Sequence, residues 1–257
     1  MSKSDRQQTR DLEATNFQTT QWTDIAQAQT RDDAVRQKAV DALTSRYWKP
    51  VYCHLRWAGH AAEDALDLTQ GFFQEIVLGR QLFQAADRSQ GRFRSFLLAA
   101  LNHYVASQYR KETARKRQSL HPTIDLEDLD VTGGIPGQTC TDPNYIFEYV
   151  WATEILDRVL AELRAEYSSS DRQVRWAVFH ERLVGPIFEG RDAPSLTEIC
   201  AKHGVESETV ASNMIVTVKR RFRAILLRRL AETLQSDCDV EDELREFISI
   251  FSGGRAG

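Results

Sequence analysis

Residues 195–230 constrain the fold more than any other part of this 257-residue chain. Ser195 and Glu198 have the spacing of a capping box, in which each side chain accepts a backbone hydrogen bond at the start of a helix. Gly204 can adopt the positive φ that a tight turn between two helices requires. A long basic helix follows the glycine. This pattern predicts a helix-turn-helix, a unit that lays its second helix in the major groove of DNA.

Apolar residues at the expected positions support that prediction. Ile199 and the small Cys200 face inward on the first helix, and Val205 and Val210 hold the second helix across the first. The alternative is a pair of ordinary surface helices in an all-α protein, because caps and glycines occur at any helix junction. A motif of this kind stays a hypothesis until its structural context agrees.

The composition indicates a globular chain that can bury a core, with 42% hydrophobic and 27% charged residues. The four cysteines lie far apart, so we expect neither disulfides nor a zinc site, and a reducing cytosol fits best. They are Cys53, Cys140, Cys200 and Cys238. The first twenty residues are polar, and the longest apolar run, 96–101, is too short for a bilayer. We therefore expect a cytoplasmic protein without signal peptide, membrane segment, metal or cofactor.

The charge is unevenly distributed along the chain, although the net charge is only −4. Residues 80–117 contain nine Arg or Lys against two acids, whereas residues 121–144 contain five acids and no Lys or Arg. Affinity for DNA depends on cations placed against phosphates, not on the sum over the chain. A protein with basic patches but a negative net charge is expected to bind free DNA weakly and to need a partner that presents the DNA to it.

No segment shows sustained strand alternation, so the periodicity predicts an all-α protein. We expect Pro50 in the first turn of a new helix. The predicted segments are a disordered tail at 1–16, a helical domain at 17–118, an acidic flexible linker at 119–144, a helix-turn-helix domain at 145–235 and an acidic amphipathic C-terminal extension at 236–257.

The segment AAEDALDLTQGFFQEI is a candidate docking surface. A helix here turns Asp64, Asp67 and Gln70 toward solvent, while Leu66 and Phe73 face a core. Two other interpretations stay open. Asp64 and Asp67 are neighbours on one face and have the spacing of a general acid and base, or they form an ordinary solvated surface.

The basic helix after Gly91 mixes cations with aromatic residues, a combination typical of proteins that bind single-stranded nucleic acid. Most of its apolar and aromatic residues are expected in the core. The loop over residues 87–93 remains a functional candidate, together with the exposed cations Arg110, Lys111, Arg115 and Lys116.

These segments together resemble the extracytoplasmic-function group of bacterial RNA polymerase sigma factors. RYWKPVYCHLRWAGHAAEDALDLTQGFFQEI resembles the polymerase-binding part, and QLFQAADRSQGRFRSFLLAALNHYVASQYRKETARKR resembles the part that opens the promoter. The acidic linker and the helix-turn-helix follow in the family's order, so the resemblance covers residues 17–251. It implies two small helical domains, similar to sigma regions 2 and 4.

The resemblance also implies roles for individual residues. Those implied in binding the clamp helices of the largest polymerase subunit are Asp64, Asp67, Gln70 and Phe73. Those implied in recognising and melting the proximal promoter element are Asp87, Arg88, Gln90, Arg92, Phe93, Asn102, Arg110, Lys111, Arg115 and Lys116. Those implied at the distal element are Ser207, Thr209, Ser212, Asn213, Lys219, Arg220 and Arg223. The chain departs from the family at 211–213, which usually carry Lys or Arg, and at His203, which is usually leucine.

The implied function is that of a promoter-specificity subunit, a non-enzyme whose partners are promoter DNA and core RNA polymerase, through its clamp helices and flap. The tail DVEDELREFISIF resembles an extension in a subgroup often encoded beside Ser/Thr kinases, so an anti-sigma protein or a kinase is a further expected partner. Two alternatives remain. One is a stand-alone helix-turn-helix regulator with an N-terminal sensing or dimerisation domain, and the other is an enzyme that uses Asp64 and Asp67.

Overall fold

The computed structural model describes residues 33–78, 92–115, 142–188, 190–234 and 239–253, and every regular element in these ranges is a helix. The α-helices are α1 Asp33–Trp57, α2 Ala62–Phe72, α3 Phe93–Arg115, α4 Pro143–Glu166, α5 Ser170–Phe179, α6 Gly185–Phe188, α7 Leu196–His203, α8 Glu208–Ala231 and α9 Val240–Gly253. Two π-helical segments continue α2 over Phe73–Leu78 and α5 over His180–Val184. The predicted all-α class is confirmed for this part of the chain. None of the helices described here has both the length and the apolar character needed to cross a membrane.

Helix α1 runs without interruption through Pro50, so the prediction of a new helix at this proline is wrong. Proline lacks the N–H that would bond the carbonyl four residues earlier, which normally weakens a helix interior. Here the flanking residues Tyr47, Val51 and Leu55 are all fully buried in the core. Burial of this stripe outweighs the local preference of proline and keeps the helix continuous.

Helix α4 lies at the centre of the described structure. It packs most extensively along α1 and also contacts α3, α8 and α9. Its first turn is fixed by Asp142, whose carboxylate accepts a hydrogen bond of 2.9 Å from the backbone N–H of Asn144, and by Pro143 in the first helical turn. A helix that is covered from several sides needs apolar residues around its circumference. This requirement explains why buried residues are spread along α4 from Ile146 to Leu163.

One hydrophobic core spans both predicted domains. Tyr47 of α1 contacts Phe93 of α3 and Phe147 of α4, with ring centroids 5.2 Å and 6.3 Å apart. The same cluster continues to Leu226 of α8 and Phe247 of α9. The predicted layout of two separate domains is therefore not confirmed. The predicted tail at 1–16, and all of the linker but its last three residues, lie outside the described residues.

A second, smaller cluster stabilises the junction of α5, α7 and α8. It consists of the buried side chains of Val178, Ile199, Val205 and Ala211. This cluster takes one residue from α5, one from α7, one from the turn and one from α8. It is the local core on which the helix-turn-helix is built.

Candidate nucleic-acid interface

The start of α7 is closed by the predicted capping box. The hydroxyl of Ser195 accepts a hydrogen bond of 3.2 Å from the backbone N–H of Glu198, and the Glu198 carboxylate accepts one of 2.7 Å from the backbone N–H of Ser195. The Glu198 carboxylate accepts hydrogen bonds from the backbone N–H and from the hydroxyl of Ser195, and these two bonds lower the pKa of Glu198. Two orphan amides of the first turn are satisfied locally, as the spacing predicted.

The turn between α7 and α8 depends on Gly204, which has φ +65° and ψ +32°. This left-handed conformation is favourable for glycine and strained for other residues. Directly after it the backbone N–H of Val205 bonds the carbonyl of Cys200 at 3.1 Å, and the Val205 side chain is buried. The hydroxyl of Thr197 bonds Glu208 at 2.5 Å and joins the starts of both helices. The predicted pair of helices with a tight turn is confirmed.

The first turns of α8 carry an exposed polar face. Thr209, Ser212 and Asn213 are exposed, and their spacing places them on one side of the helix. Ser207 has a different part, because its hydroxyl accepts the backbone N–H of Val210 at 3.3 Å and caps the helix. Ser207 therefore caps α8, and its implied place at the distal promoter element stays a prediction.

The cations Lys219, Arg220 and Arg223 are exposed on the next turns of α8, where they line a groove of about 1110 Å³. Arg223 donates two hydrogen bonds, of 2.7 and 2.8 Å, to Glu241 of α9. The rest of the groove lining is largely apolar, and its exposed apolar residues are Ile187, Phe188, Val216 and Ile248. The second helix thus changes from a polar face at its start to a cationic and apolar face further along.

Two residues of the predicted promoter-melting segment are placed differently from the prediction. Phe93 is buried and packs edge-on against Tyr47, so it offers no face to a base, because an aromatic ring gains more from the core than from water. Arg92 is half-buried and forms ion pairs with Glu243, at 2.7 Å, and with Glu246. The predicted residues Asp87, Arg88, Gln90 and Lys116 and the Arg115 side chain lie outside the described residues.

Next to Arg92, the buried Arg94 is the centre of an ionic cluster that the sequence did not reveal. Its guanidinium donates to Glu148 of α4 at 2.6 Å and to Glu243 of α9, and it lies 4.3 Å from the ring centroid of Trp151. We call Arg92, Arg94, Glu148, Glu243 and Glu246 the Arg94 cluster. Burial alone would lower the pKa of Arg94, but the carboxylates of Glu148 and Glu243 outweigh it and raise the pKa.

Three of the residues implied at the proximal promoter element lie on the exposed side of α3. Asn102 is exposed and donates to Asn144 at 3.2 Å. Arg110 is exposed and bonds a carbonyl of its own helix at 3.2 Å, and Lys111 lies 3.9 Å from Glu75 with its side chain 61% exposed. These contacts are weak and solvated, so the three side chains stay accessible to an anionic ligand.

Helix α2 exposes Asp64, Asp67 and Gln70 as predicted. Phe73 does not lie on this surface, because it is buried and stacks on Trp48 with ring centroids 5.7 Å apart. The earlier expectation that Phe73 faces a core is confirmed, and its implied place on the polymerase-binding surface is corrected.

Leu66 was expected in the core but is 42% exposed, between the two aspartates in sequence. The exposed surface of α2 is thus acidic with one apolar residue.

Nothing in the described residues resembles a metal centre, since no group of three or more His, Cys, Asp or Glu side chains is suitably arranged. Burial raises the pKa of the Cys53 thiol to about 11, so it is not a reactive thiolate at neutral pH. Comparison of the chain with protein-family models, with curated proteins and with solved structures gave no match.

Proposed function

We propose that this protein is a promoter-specificity subunit of bacterial RNA polymerase, which binds the core enzyme, recognises and melts promoter DNA and directs transcription initiation. The observation that carries the proposal is the helix-turn-helix of α7 and α8, which leaves Thr209, Ser212 and Asn213 exposed at the start of its second helix. Hydroxyl and amide groups at such a position suit hydrogen bonds to base edges in the major groove.

The other exposed faces supply the remaining parts of this function. In the proposal the acidic face of α2 binds the largest polymerase subunit through Asp64 and Asp67. Asn102 and the cations at the end of α3 face the melted strand of the proximal element. Lys219 and Arg220, which are exposed on α8, face phosphates of the distal element. Phosphate contacts of this kind position a protein on DNA without reading the sequence.

The proposal is tested by adding the full chain to core RNA polymerase and sequencing the 5′ ends of transcripts from genomic DNA. We expect the chain to co-purify with the polymerase and the transcripts to share two spaced upstream motifs. A chain that does not associate with the polymerase, or that yields no promoter-dependent transcript, would refute the proposal.

The role of Asn213 has a separate test once a distal motif is known. Asn213→Ala should change the preference at one distal base pair by about 1–3 kcal/mol if the contact is bidentate. Arg221→Ala is the matched control on the same helix, because Arg221 is bound to Glu166 in a solvent-exposed ion pair. Uniform weakening over all distal sequences would instead make Asn213 a positioning residue.

The polymerase-binding face of α2 is tested by Asp64→Asn combined with Asp67→Asn. We expect co-purification with the core enzyme to weaken by about 1 kcal/mol or more for each residue that contributes to the interface centre. Glu63→Gln is the control, since Glu63 is an exposed acid in the first turn of the same helix. Equal weakening by the control would show an effect of general charge and not of this face.

The continuous core between the two halves favours one alternative, a stand-alone helix-turn-helix regulator that acts as a single body. Such a regulator binds intact duplex operators as a dimer without polymerase. A gel shift with the purified chain separates the two functions. Tight, site-selective binding to duplex DNA by the chain alone supports the regulator, whereas weak binding that becomes selective only with core polymerase supports the specificity subunit.

A further inference from the structure

Two cations that lie far apart in sequence form ion pairs with carboxylates of the same helix. Arg92, which precedes α3, forms ion pairs with Glu243 and Glu246. Arg223, on α8, binds Glu241 in the first turn of α9. One helix of fourteen residues thus occupies a cation in the segment assigned to the proximal promoter element and another in the segment assigned to the distal element.

We propose that α9 is an intramolecular competitor of nucleic-acid phosphate. In the free protein its carboxylates occupy Arg223 and Arg92, and DNA binds at these positions only by exchanging phosphates for them. The inference deepens the proposed function and rests on it in one respect, namely that Arg92 and Arg223 face DNA.

Exchange of a carboxylate for a phosphate is physically reasonable at the Arg223–Glu241 ion pair. The side chains of Arg223 and Glu241 are 56% and 52% exposed, so their ion pair is hydrated and contributes little to stability. A phosphate that takes the place of Glu241 also releases condensed counterions from the DNA, which favours the exchange at low salt. The weak Arg223–Glu241 pair is therefore the position at which a phosphate displaces the Glu241 carboxylate.

The rest of α9 is fixed more firmly, so that it stays in place during the exchange. Glu243 is fully buried between Arg92 and Arg94. Phe247 packs edge-on against Trp151 with ring centroids 6.0 Å apart. Nearer the end of the helix, the hydroxyl of Tyr145 donates to the carbonyl of Ile250 at 2.9 Å. The helix therefore masks cations locally and does not need to unfold or dissociate for DNA to bind.

The charge of α9 adds to this masking. The helix contains four acids and one arginine, a net charge of −3. The acids are Glu241, Asp242, Glu243 and Glu246. Phosphates approaching Arg223 or Arg92 meet this negative charge before they reach the cations. The two effects, occupation and repulsion, are separable because Asp242 pairs with Arg245 of the same helix, at 2.5 Å, and with neither Arg223 nor Arg92.

The experiment measures binding of the full chain to a fluorescein-labelled DNA duplex of mixed sequence, by anisotropy, between about 50 and 200 mM salt. Glu241→Gln should strengthen binding and steepen the slope of log K against log salt by about 0.9, the value for one additional phosphate contact. Glu241→Gln with Glu246→Gln should steepen it further, but by less than a second full phosphate contact, because Glu243 still binds Arg92. Asp242→Asn is the matched control, because it removes one charge from the same helix without releasing Arg223 or Arg92.

Three results would overturn the proposal: an unchanged slope in Glu241→Gln, the same increase in Asp242→Asn, or the same increase when Glu241→Gln is introduced beside Arg223→Gln. The last arm is a double-mutant cycle, in which removing the cation should abolish the effect of removing its carboxylate. Glu241 is exposed, so its substitution leaves the core intact. The duplex assay contains no polymerase, and its outcome is therefore independent of whether the chain directs transcription.

Discussion

The helix-turn-helix and the Arg94 cluster are stabilised in opposite ways. In the helix-turn-helix, the capping box joins residues three apart in sequence, and Gly204 makes the turn within the same short stretch. In the Arg94 cluster, Arg94 bonds Glu148 on α4 and Glu243 on α9, far away along the chain, and is almost fully buried. The first unit depends on local backbone chemistry, and the second joins three distant helices through buried charge.

This difference has an energetic meaning. Removing a local cap leaves polar groups that water can solvate, so the loss is modest. Removing one partner from a buried ion pair leaves an uncompensated charge in the core, so the loss is large. The two regions should therefore respond very differently to single substitutions, and the following experiments measure that difference.

The largest effect is expected for Arg94→Ala. It leaves Glu148 and the buried Glu243 without this partner and removes the contact with Trp151, so we expect a loss of about 3–5 kcal/mol in the free energy of unfolding. Denaturant titration followed by circular dichroism measures it. The control Arg221→Ala breaks a solvent-exposed pair with Glu166 and should cost about 1 kcal/mol or less. Similar losses in both variants would show that burial does not distinguish the two regions.

A smaller effect is expected for Gly204→Ala. Nothing lies within 4 Å of the added Cβ, so the cost comes from the positive φ alone, about 1–2 kcal/mol. Gly190→Ala is the matched control, since Gly190 has the same φ of +65° and open surroundings but lies before α7. Both variants should lose similar stability, but only Gly204→Ala should weaken DNA binding. If Gly190→Ala weakens it equally, the turn has no special part in the interface.

Ser195→Ala should have a still smaller effect, about 1 kcal/mol, because it removes the hydroxyl that caps α7. Ser212→Ala serves as the control, since Ser212 is exposed within α8 and caps nothing. Thermal unfolding measures both, with a shift of about 2–4 °C in Tm for each kcal/mol in a chain of this size. An equal shift for Ser212→Ala would contradict the assigned role of the cap.

The smallest effect is an acid sensitivity of the helix-turn-helix and of the ion pairs that join it to α4 and to the π-helical segment after α5. The pKa values of Glu166, Glu181 and Glu198 are lowered, by hydrogen bonds from Arg221, Lys202 and Ser195 respectively. A carboxyl whose folded pKa is depressed stabilises the fold above its unfolded pKa of about 4.3 and loses this contribution as the pH falls through the folded value. The Tm values of Glu198→Gln and of the unchanged chain should therefore approach each other as the pH falls below about 4.3. A gap that stays constant down to pH 3 would rule out the linkage.

The sequence predicted the features that depend on neighbouring residues and missed those that depend on contacts between residues far apart in sequence. The cap at Ser195, the turn at Gly204 and the presence of helix α3 after Gly91 all follow from patterns within a few residues. The placement of Phe93 itself does not, because burial depends on Tyr47 from another helix. Pro50 was misjudged in the same way, since tertiary packing overrode its local preference.

The Arg94 cluster was not predictable from periodicity. Arg94 interrupts the apolar pattern of the run FRSFLLAAL, and this interruption indicates a buried charge that needs a partner. Nothing in the sequence identifies that partner. The exposed acids of α2 were predicted correctly, because their helical spacing separates them from the buried Phe72. Leu66 was not, since periodicity does not show whether a neighbour covers a given face.

The central position of α4 has a mechanical consequence. Helices α1 and α3 of the first half and α8 and α9 of the second half all pack on α4. Separating the two halves therefore exposes one apolar side of α4 to water, so we expect no gradual separation. We expect the two halves to be either packed together or fully separated, and a partner that separates them must bury the apolar surface of α4 that becomes exposed.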